Sequence, residues 1–301
     1  MRLPFRLLPR FQRQMALLLC VALALGGCSL RFAYSQLDWL VPWYVRDYVT
    51  LDAGQRGALD TRLADRLAWH CSAHIPEYAA TLREAQAVLA RETVDGAALV
   101  PFLARGEAWL GELLSELEPD ARVLLAGLSD EQAAELRLAF ARREREARDE
   151  FLGGSVAEQH AARVKRMEKR LQRWFGRMTP AQRERIAAWS NELNPTTEDW
   201  LAQRARWQGA LLAALQVRGD DDAFAARLKP LFGSQQGHWP QAYREGAAHN
   251  RTLTLALLSD VFNMAPEAQR KRLNGEIDAL AGQFESLACA APARLSAALG
   301  R

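Results

Sequence analysis

From Leu51 onward no stretch of the chain alternates apolar with polar residues, and that removes β-sheets from the folds open to it. Apolar residues recur at intervals of three and four instead. Val, Ile and Thr are sparse, whereas Ala, Leu, Arg, Glu and Gln, the residues that lose least in a helix, dominate. Breaks fall at Pro76, Asp95-Gly96, Pro119, Gly153-Gly154, Asn194-Pro195, Gly219-Asp220, Gly233 and Pro266. They predict helices over 52–73, 76–91, 96–117, 119–127, 130–152, 155–176, 180–193, 197–217, 220–231, 238–262 and 267–288. The fold class is all-α, a multi-helix bundle of about ten helices. A division into two subdomains would fall near 153–155 or 194–195.

A short motif marks several of these helix starts. Leu51-Asp-Ala-Gly-Gln55, Leu128-Ser-Asp-Glu-Gln132 and Met178-Thr-Pro-Ala-Gln182 share the form apolar, cap, two residues, Gln. This is a capping box: the cap side chain accepts from the N3 amide, the N3 glutamine reaches back, and the apolar residue staples onto the new helix. Met264-Ala-Pro-Glu-Ala-Gln269 reads as a degraded fourth copy, with Ala at the cap position and one extra residue before Gln. Intervals of 77, 50 and 86 residues are too unequal for a solenoid.

Ahead of the helical region, Arg2, Arg6, Arg10 and Arg13 precede an uncharged apolar run from Met15 to Leu25. That run is far shorter than the roughly 20 residues a bilayer span requires, so the order of segments is that of a secretory signal. Leu25-Gly26-Gly27-Cys28 resembles the lipobox cut by the lipoprotein signal peptidase. The resemblance implies a signal peptide over 1–27, a lipidated Cys28 opening a leader over 28–33, and a helical domain over 34–301 facing the periplasm. Ser29 in place of Asp implies sorting to the outer membrane. Each buried methylene contributes ~0.8 kcal/mol, so several acyl chains (palmitate among them) hold such a chain on its membrane. The expected partner is that membrane, and the covalent lipid is the sole expected cofactor. Four arginines leave with the signal, so the formal charge of +3 becomes −1, which gives no footing for nucleic acid. Cys20 leaves too. Cys71 and Cys289 remain as an even pair in an oxidising compartment, open to two readings, a disulfide or two separate buried thiols.

The segment Tyr34-Ser-Gln-Leu-Asp-Trp-Leu-Val-Pro-Trp-Tyr44 is crowded with aromatics, which suits a membrane interface. Leu37, Leu40, Val41, Tyr44, Val45 and Tyr48 also recur at helical spacing. A core-facing stripe is the preferred reading, because the segment lacks the Lys and Arg of an interfacial helix. Pro42 is expected to kink or divide it. This pattern, with the lipobox, Leu51-x-x-x-Gln55, Trp69-His70 and Pro76-x-Tyr78, resembles an uncharacterised family of proteobacterial lipoproteins of similar length. That resemblance implies location and class and supplies no catalytic residue. The capping motifs are similar in local form to the L-T-x-x-Q signature of small periplasmic helical chaperones and metal-responsive envelope sensors.

Few residues offer chemistry. His70 and His74 stand at i and i+4 on one helical face, the spacing that lets two imidazoles share a zinc ion, although a third ligand and the glutamate of the metalloprotease motif are missing. Asp220-Asp221-Asp222 reads as a helix-start acid cluster rather than a calcium loop. Trp200, Gln203, Arg204 and Trp207 fall on one face and could line a partner groove. No nucleophile elbow, phosphate loop or CxxC pair occurs. The expectation is an outer-membrane lipoprotein whose helical domain binds an envelope protein, an unfolded client or peptidoglycan without catalysis. Its alternatives are a cell-wall hydrolase using two carboxylates and a metal sensor using His70 and His74.

Overall fold

A computed structural model describes residues 29–234 and 236–289, so Cys28 and the signal lie outside the described residues. The helices are α1 (Ser29–Ser35), α2 (Leu37–Arg46), α3 (Ala53–Ala73), α4 (Ile75–Leu89), α5 (Val100–Ala126), α6 (Asp130–Leu152), α7 (Val156–Phe175), α8 (Pro180–Glu192), α9 (Thr197–Leu215), α10 (Asp221–Leu228), α11 (Gln241–Asn263) and α12 (Glu267–Leu287). No strand occurs among the described residues, so the chain is all-α. No described helix is long and apolar enough to cross a membrane.

Caps fix where the helices begin. Asp52, Ser129, Ser155 and Thr179 each accept from the N3 amide while Gln55, Gln132, Glu158 and Gln182 accept from the cap amide, completing four boxes. Asp220 caps α10 by accepting from the Ala223 amide, which accounts for the aspartate triplet. The fourth motif copy sits in a different register from the one expected. Pro266 occupies the N-cap of α12 and Gln269 is its N3 residue, so Ala265 takes the staple position and nothing is inserted.

Two prolines behave differently from expectation. Pro119 does not end a helix; it lies inside α5, which runs unbroken from Val100 to Ala126. Proline removes one ladder hydrogen bond there. The flanking acids are clamped from α3, however: Arg66 binds Glu116 at 2.7 Å and Asp120 at 2.5 Å, and Arg62 binds Asp120 at 2.8 Å. Pro42 likewise sits inside α2, and the chain divides earlier, at Gln36 between α1 and α2. The leader expected over 28–33 is helical from Ser29.

Two apolar cores hold the bundle. One gathers Met167, Leu171 and Phe175 of α7, Ile186 and Trp189 of α8, Leu257, Val261 and Phe262 of α11, and Leu273 and Ile277 of α12. The other gathers Leu136 and Phe140 of α6, Leu211, Ala214 and Leu215 of α9, and Phe224 and Leu228 of α10. Phe224, Leu215 and Leu257 are wholly shielded, each worth ~2–3 kcal/mol of transfer free energy. The chain crosses from the second core to the first after α6, where Gly154 adopts φ 78°, and returns between α8 and α9.

The motif glutamines join the helix starts in pairs. Gln55 and Gln132 exchange amide hydrogen bonds at 2.9 and 2.6 Å, and Gln182 and Gln269 do the same at 2.7 and 3.1 Å. Each amide also donates to a carbonyl beside the other pairing partner's helix start or the helix leading to it: Gln55 to Gly127, Gln132 to Thr50, Gln182 to Val261 and Gln269 to Arg177. The staples Met178 and Ala265 belong to the first core, while Leu128 belongs to the second and Leu51 packs on it. Four N3 glutamines, three of them in capping boxes, thus form two long-range clasps, one per core.

Candidate functional site

One face of α9 remains uncovered by helix packing. Leu201, Gln208, Leu211, Ala214 and Leu215 turn inward, which leaves Trp200, Gln203, Arg204 and Trp207 on the side facing residues 230–243. All four line one cavity of about 410 Å³, closed on its other side by Pro230, Leu231, Trp239 and Tyr243. Trp207 is fixed in the wall because its indole N–H donates to the Leu231 carbonyl at 3.0 Å. Trp239 and Tyr243 pack with tilted rings 4.7 Å apart, and Trp200 meets Phe151 edge-on at 5.5 Å. Gly246 lets α11 come in this close, since a Cβ there would stand 2.9 Å from Thr196 Cγ2 at the start of α9. Trp239 also borders a second open cavity of about 580 Å³, lined by Leu110, Leu114 and Glu118 of α5 with Phe232 and Lys229 opposite. The two cavities are neighbours that share Trp239 in their walls.

Polar groups are distributed unevenly between the two cavities. The Gln203 side chain accepts from Arg206 at 3.1 Å, but its amide nitrogen is shielded from solvent with no acceptor. Burial, and then the Asp199 carboxylate, pushes the Tyr243 phenol up, so it remains a neutral donor. Arg204 and Arg206 flank one end, Glu107 and Glu118 the far cavity.

His70 and His74 lie elsewhere, at the corner between α3 and α4. Their rings meet edge to face at 5.5 Å, which brings the pair together as the spacing implied. Their nitrogens are engaged. His70 contacts the Tyr34 hydroxyl at 3.2 Å and the Tyr78 hydroxyl at 3.1 Å, and His74 contacts Glu112 at 3.1 Å and Tyr78 at 3.4 Å. Burial, then the neighbouring His74, lowers the His70 pKa, which favours the neutral ring. No group of three or more His, Cys, Asp or Glu among the described residues could hold a metal ion. Directly beside the pair, Cys71 is joined to Cys289 in a disulfide with Cα atoms 5.3 Å apart, so the two cysteines are not separate thiols in this structure.

Residues 47–244 match DUF6279, a family of unknown function. The chain belongs to that family. The matched region contains Cys71, His70, His74, α9 and both aromatic residues, Trp239 and Tyr243, that close the groove. No curated protein and no solved structure matches the chain.

Within this DUF6279 chain the one buried carboxylate among the described residues is Asp120. Burial would raise its pKa, but hydrogen bonds from Arg66 and Arg62, with their charges, outweigh that and hold it below the usual range. A general acid needs the opposite shift, so Asp120 serves as a clamp between α3 and α5. The polar side chains Arg244, Asn250 and Arg251 of α11 are each engaged separately. Arg244 donates to the Trp239 carbonyl, Asn250 caps the Asn194–Thr196 turn, and Arg251 pairs with Glu107 at 2.7 Å.

Sequence reasoning did not join Trp239 and Tyr243 to the α9 face. The intervening 3-10 turns at Lys229–Phe232 and Gln236–His238 bring them back, and turns of that kind carry no periodic signal.

Proposed function

We propose that this member of DUF6279 is a lipoprotein anchored through Cys28 in the outer membrane and facing the periplasm. Its helical domain binds an extended, apolar segment of another envelope polypeptide along the groove between α9 and the Trp239–Tyr243 wall. The supporting observation is the lining of the cavity beside α9, where Trp200, Trp207, Trp239 and Tyr243 converge and Trp239 is shared with a second cavity. Polypeptide recognition combines such parts. Aromatic walls bury large area at low entropic cost, and the charged side chains beside them fix orientation. Arg204 and Arg206 make the cavity beside α9 basic, whereas the second cavity mixes Glu118 and the Arg251-paired Glu107 with Lys229, so the two ends offer a bound segment different charge. The lipobox resemblance supports the anchor, and Ser29 after Cys28 supports the outer membrane.

A photo-crosslinking residue placed at Ala210, in the groove of the native lipoprotein in cells, tests the reading, with Leu138 on the exposed face of α6 as control. Discrete protein adducts from position 210 that disappear in a Trp207→Ala background are expected. Adducts to glycan strands alone, or the same pattern from both positions, would overturn it. Metabolic labelling with a palmitate analogue tests the anchor independently: label is expected on the native chain and lost in Cys28→Ala.

A further inference from the structure

Among the described residues, the aromatic side chains left open are concentrated toward the N-terminal helices. Phe32, Trp39, Trp43 and Tyr44 are all exposed, whereas the other exposed aromatic of comparable size among the described residues, Trp200, belongs to the groove. Trp39 and Trp43, one helical turn apart on α2, are stacked at 6.5 Å and lie 61% and 45% exposed. Side chains of this size shed water elsewhere in the fold, so a paired, uncovered presentation marks a contact surface. Four exposed charged side chains frame the pair: Asp38 and Arg46 on α2, and Arg56 and Asp60 on α3. Among the described residues none of these four side chains makes an ion pair or hydrogen bond. The frame therefore carries two carboxylates and two guanidiniums with no partners and no net charge.

We infer that the Trp39–Trp43 face of α2, with Asp38, Arg46, Arg56 and Asp60 around it, docks on the surface of a zwitterionic phospholipid bilayer. Two features select this occupant. Indole rings partition to the headgroup region, where the ring is half apolar and the N–H finds acceptors. The balanced frame offers guanidiniums to the lipid phosphate and carboxylates to the lipid ammonium, so anionic lipid is not required. Position agrees. Helix α1 begins at Ser29, directly after Cys28 in the sequence, and the eleven steps from Cys28 to Trp39, at 1.5 Å each, correspond to ~17 Å. This inference rests on the lipid-anchor reading above. Docking would give the helical domain one orientation on the membrane, which an acyl tether alone does not.

The full lipidated protein is reconstituted in phosphatidylethanolamine–phosphatidylcholine vesicles containing lipid brominated along its acyl chains. Flotation reports the anchor, and bromine quenching of tryptophan emission reports docking. The native protein is expected to float and to show quenching that disappears in Trp39→Ala/Trp43→Ala, which still floats. Unchanged quenching in that floating double variant would overturn docking while leaving the anchor intact. Quenching that appears only after phosphatidylglycerol is added would overturn the zwitterionic assignment. A native protein that neither floats nor carries acyl mass would overturn the anchor and the docking inference with it.

Discussion

Gln182 and Gln269, 87 residues apart, donate to each other's side-chain oxygens, and Gln182 does so with 0% of its surface exposed. The Gln182 oxygen also accepts from the Thr179 amide, and its nitrogen donates to the Val261 carbonyl. Truncating it strands several buried groups at once. Gln182→Ala is expected to cost about 3–5 kcal/mol, because each orphaned buried group costs about 1–3 kcal/mol and the site cannot flood. Gln132→Ala removes the corresponding clasp at a half-buried position and is expected to cost about 1 kcal/mol, since water replaces its bonds there. Urea denaturation of the two variants checks the order. Equal losses would mean that the buried clasp contributes nothing beyond an ordinary cap.

The cap half of that clasp was legible in the chain, since Ser, Thr or Asp followed by Gln at the right spacing is a local rule. Its long-range half was not, because nothing local tells Gln182 to meet Gln269 instead of solvent. The fourth copy shows the same limit. With Pro266 at the cap there is no side-chain acceptor to recognise, yet proline's fixed φ starts α12 in the same register and Gln269 still pairs. All-α class and most helix bounds followed from periodicity. Pro119 misled because Arg62 and Arg66 override a local signal from α3, more than fifty residues away in the chain.

At the N-terminus the core stripe is split. Val45 and Tyr48 pack on the second core, with Tyr48 edge-on to Phe140 at 6.1 Å, whereas Tyr44, expected on the same stripe, is exposed and bonds the Tyr48 hydroxyl at 3.0 Å. The segment is short and broken at Gln36, so one apolar side suffices to hold it. Its remaining aromatics need not face inward, and periodicity alone does not separate the two sets.

The Cys71–Cys289 disulfide closes a loop with a separation of 218 residues and ties the end of α12 to the α3–α4 corner. A loop of that length corresponds to about 5 kcal/mol in the chain-entropy model, and measured values run to about 2–5 kcal/mol. Cys289→Ser is therefore expected to lower the denaturation midpoint by a comparable stability. The change should match that produced by reductant on the native protein, with no further loss when the two are combined. Additive losses would show that the serine acts by another route. Alkylation of protein extracted from cells is expected to label neither cysteine until reductant is added.

The two guanidiniums on Asp120 make a separate prediction about α3 and α5. Asp120→Ala removes a buried acceptor from Arg62 and Arg66 and leaves both cations facing each other near Pro119. A loss of about 2–4 kcal/mol is expected, with hydrogen exchange rising first in the α5 turns around Pro119. Asp120→Asn keeps one acceptor and is expected to lose about half as much. If both variants exchange like the native chain, the clamp is not what carries α5 through its proline.

Acid should loosen the corner where α1 meets the body. The His70 pKa lies below its ordinary 6.5, first through burial and then through the His74 ring, so the unfolded chain binds a proton that the folded chain resists. Stability from this residue is therefore complete above pH 6.5 and is lost as the pH falls through the lowered folded value. The groups facing His70 are the hydroxyls of Tyr34 from α1 and Tyr78 from α4 and the ring of His74, none of them an anion that would offset a charged imidazole. Tyr34 also donates to the Leu67 carbonyl at 3.0 Å, so α1 is attached through the same spot. Thermal unfolding followed from pH 8 to pH 5 is expected to show a decline that His70→Gln abolishes, because glutamine keeps a donor and an acceptor but does not titrate. A decline of the same size in the variant would assign it to other groups. Protection of the amides at the α3–α4 corner should fall over the same interval in the native protein and stay level in the variant, since Tyr34 already gives its proton to Leu67 and protonation of His70 therefore withdraws the acceptor that faces the Tyr78 hydroxyl.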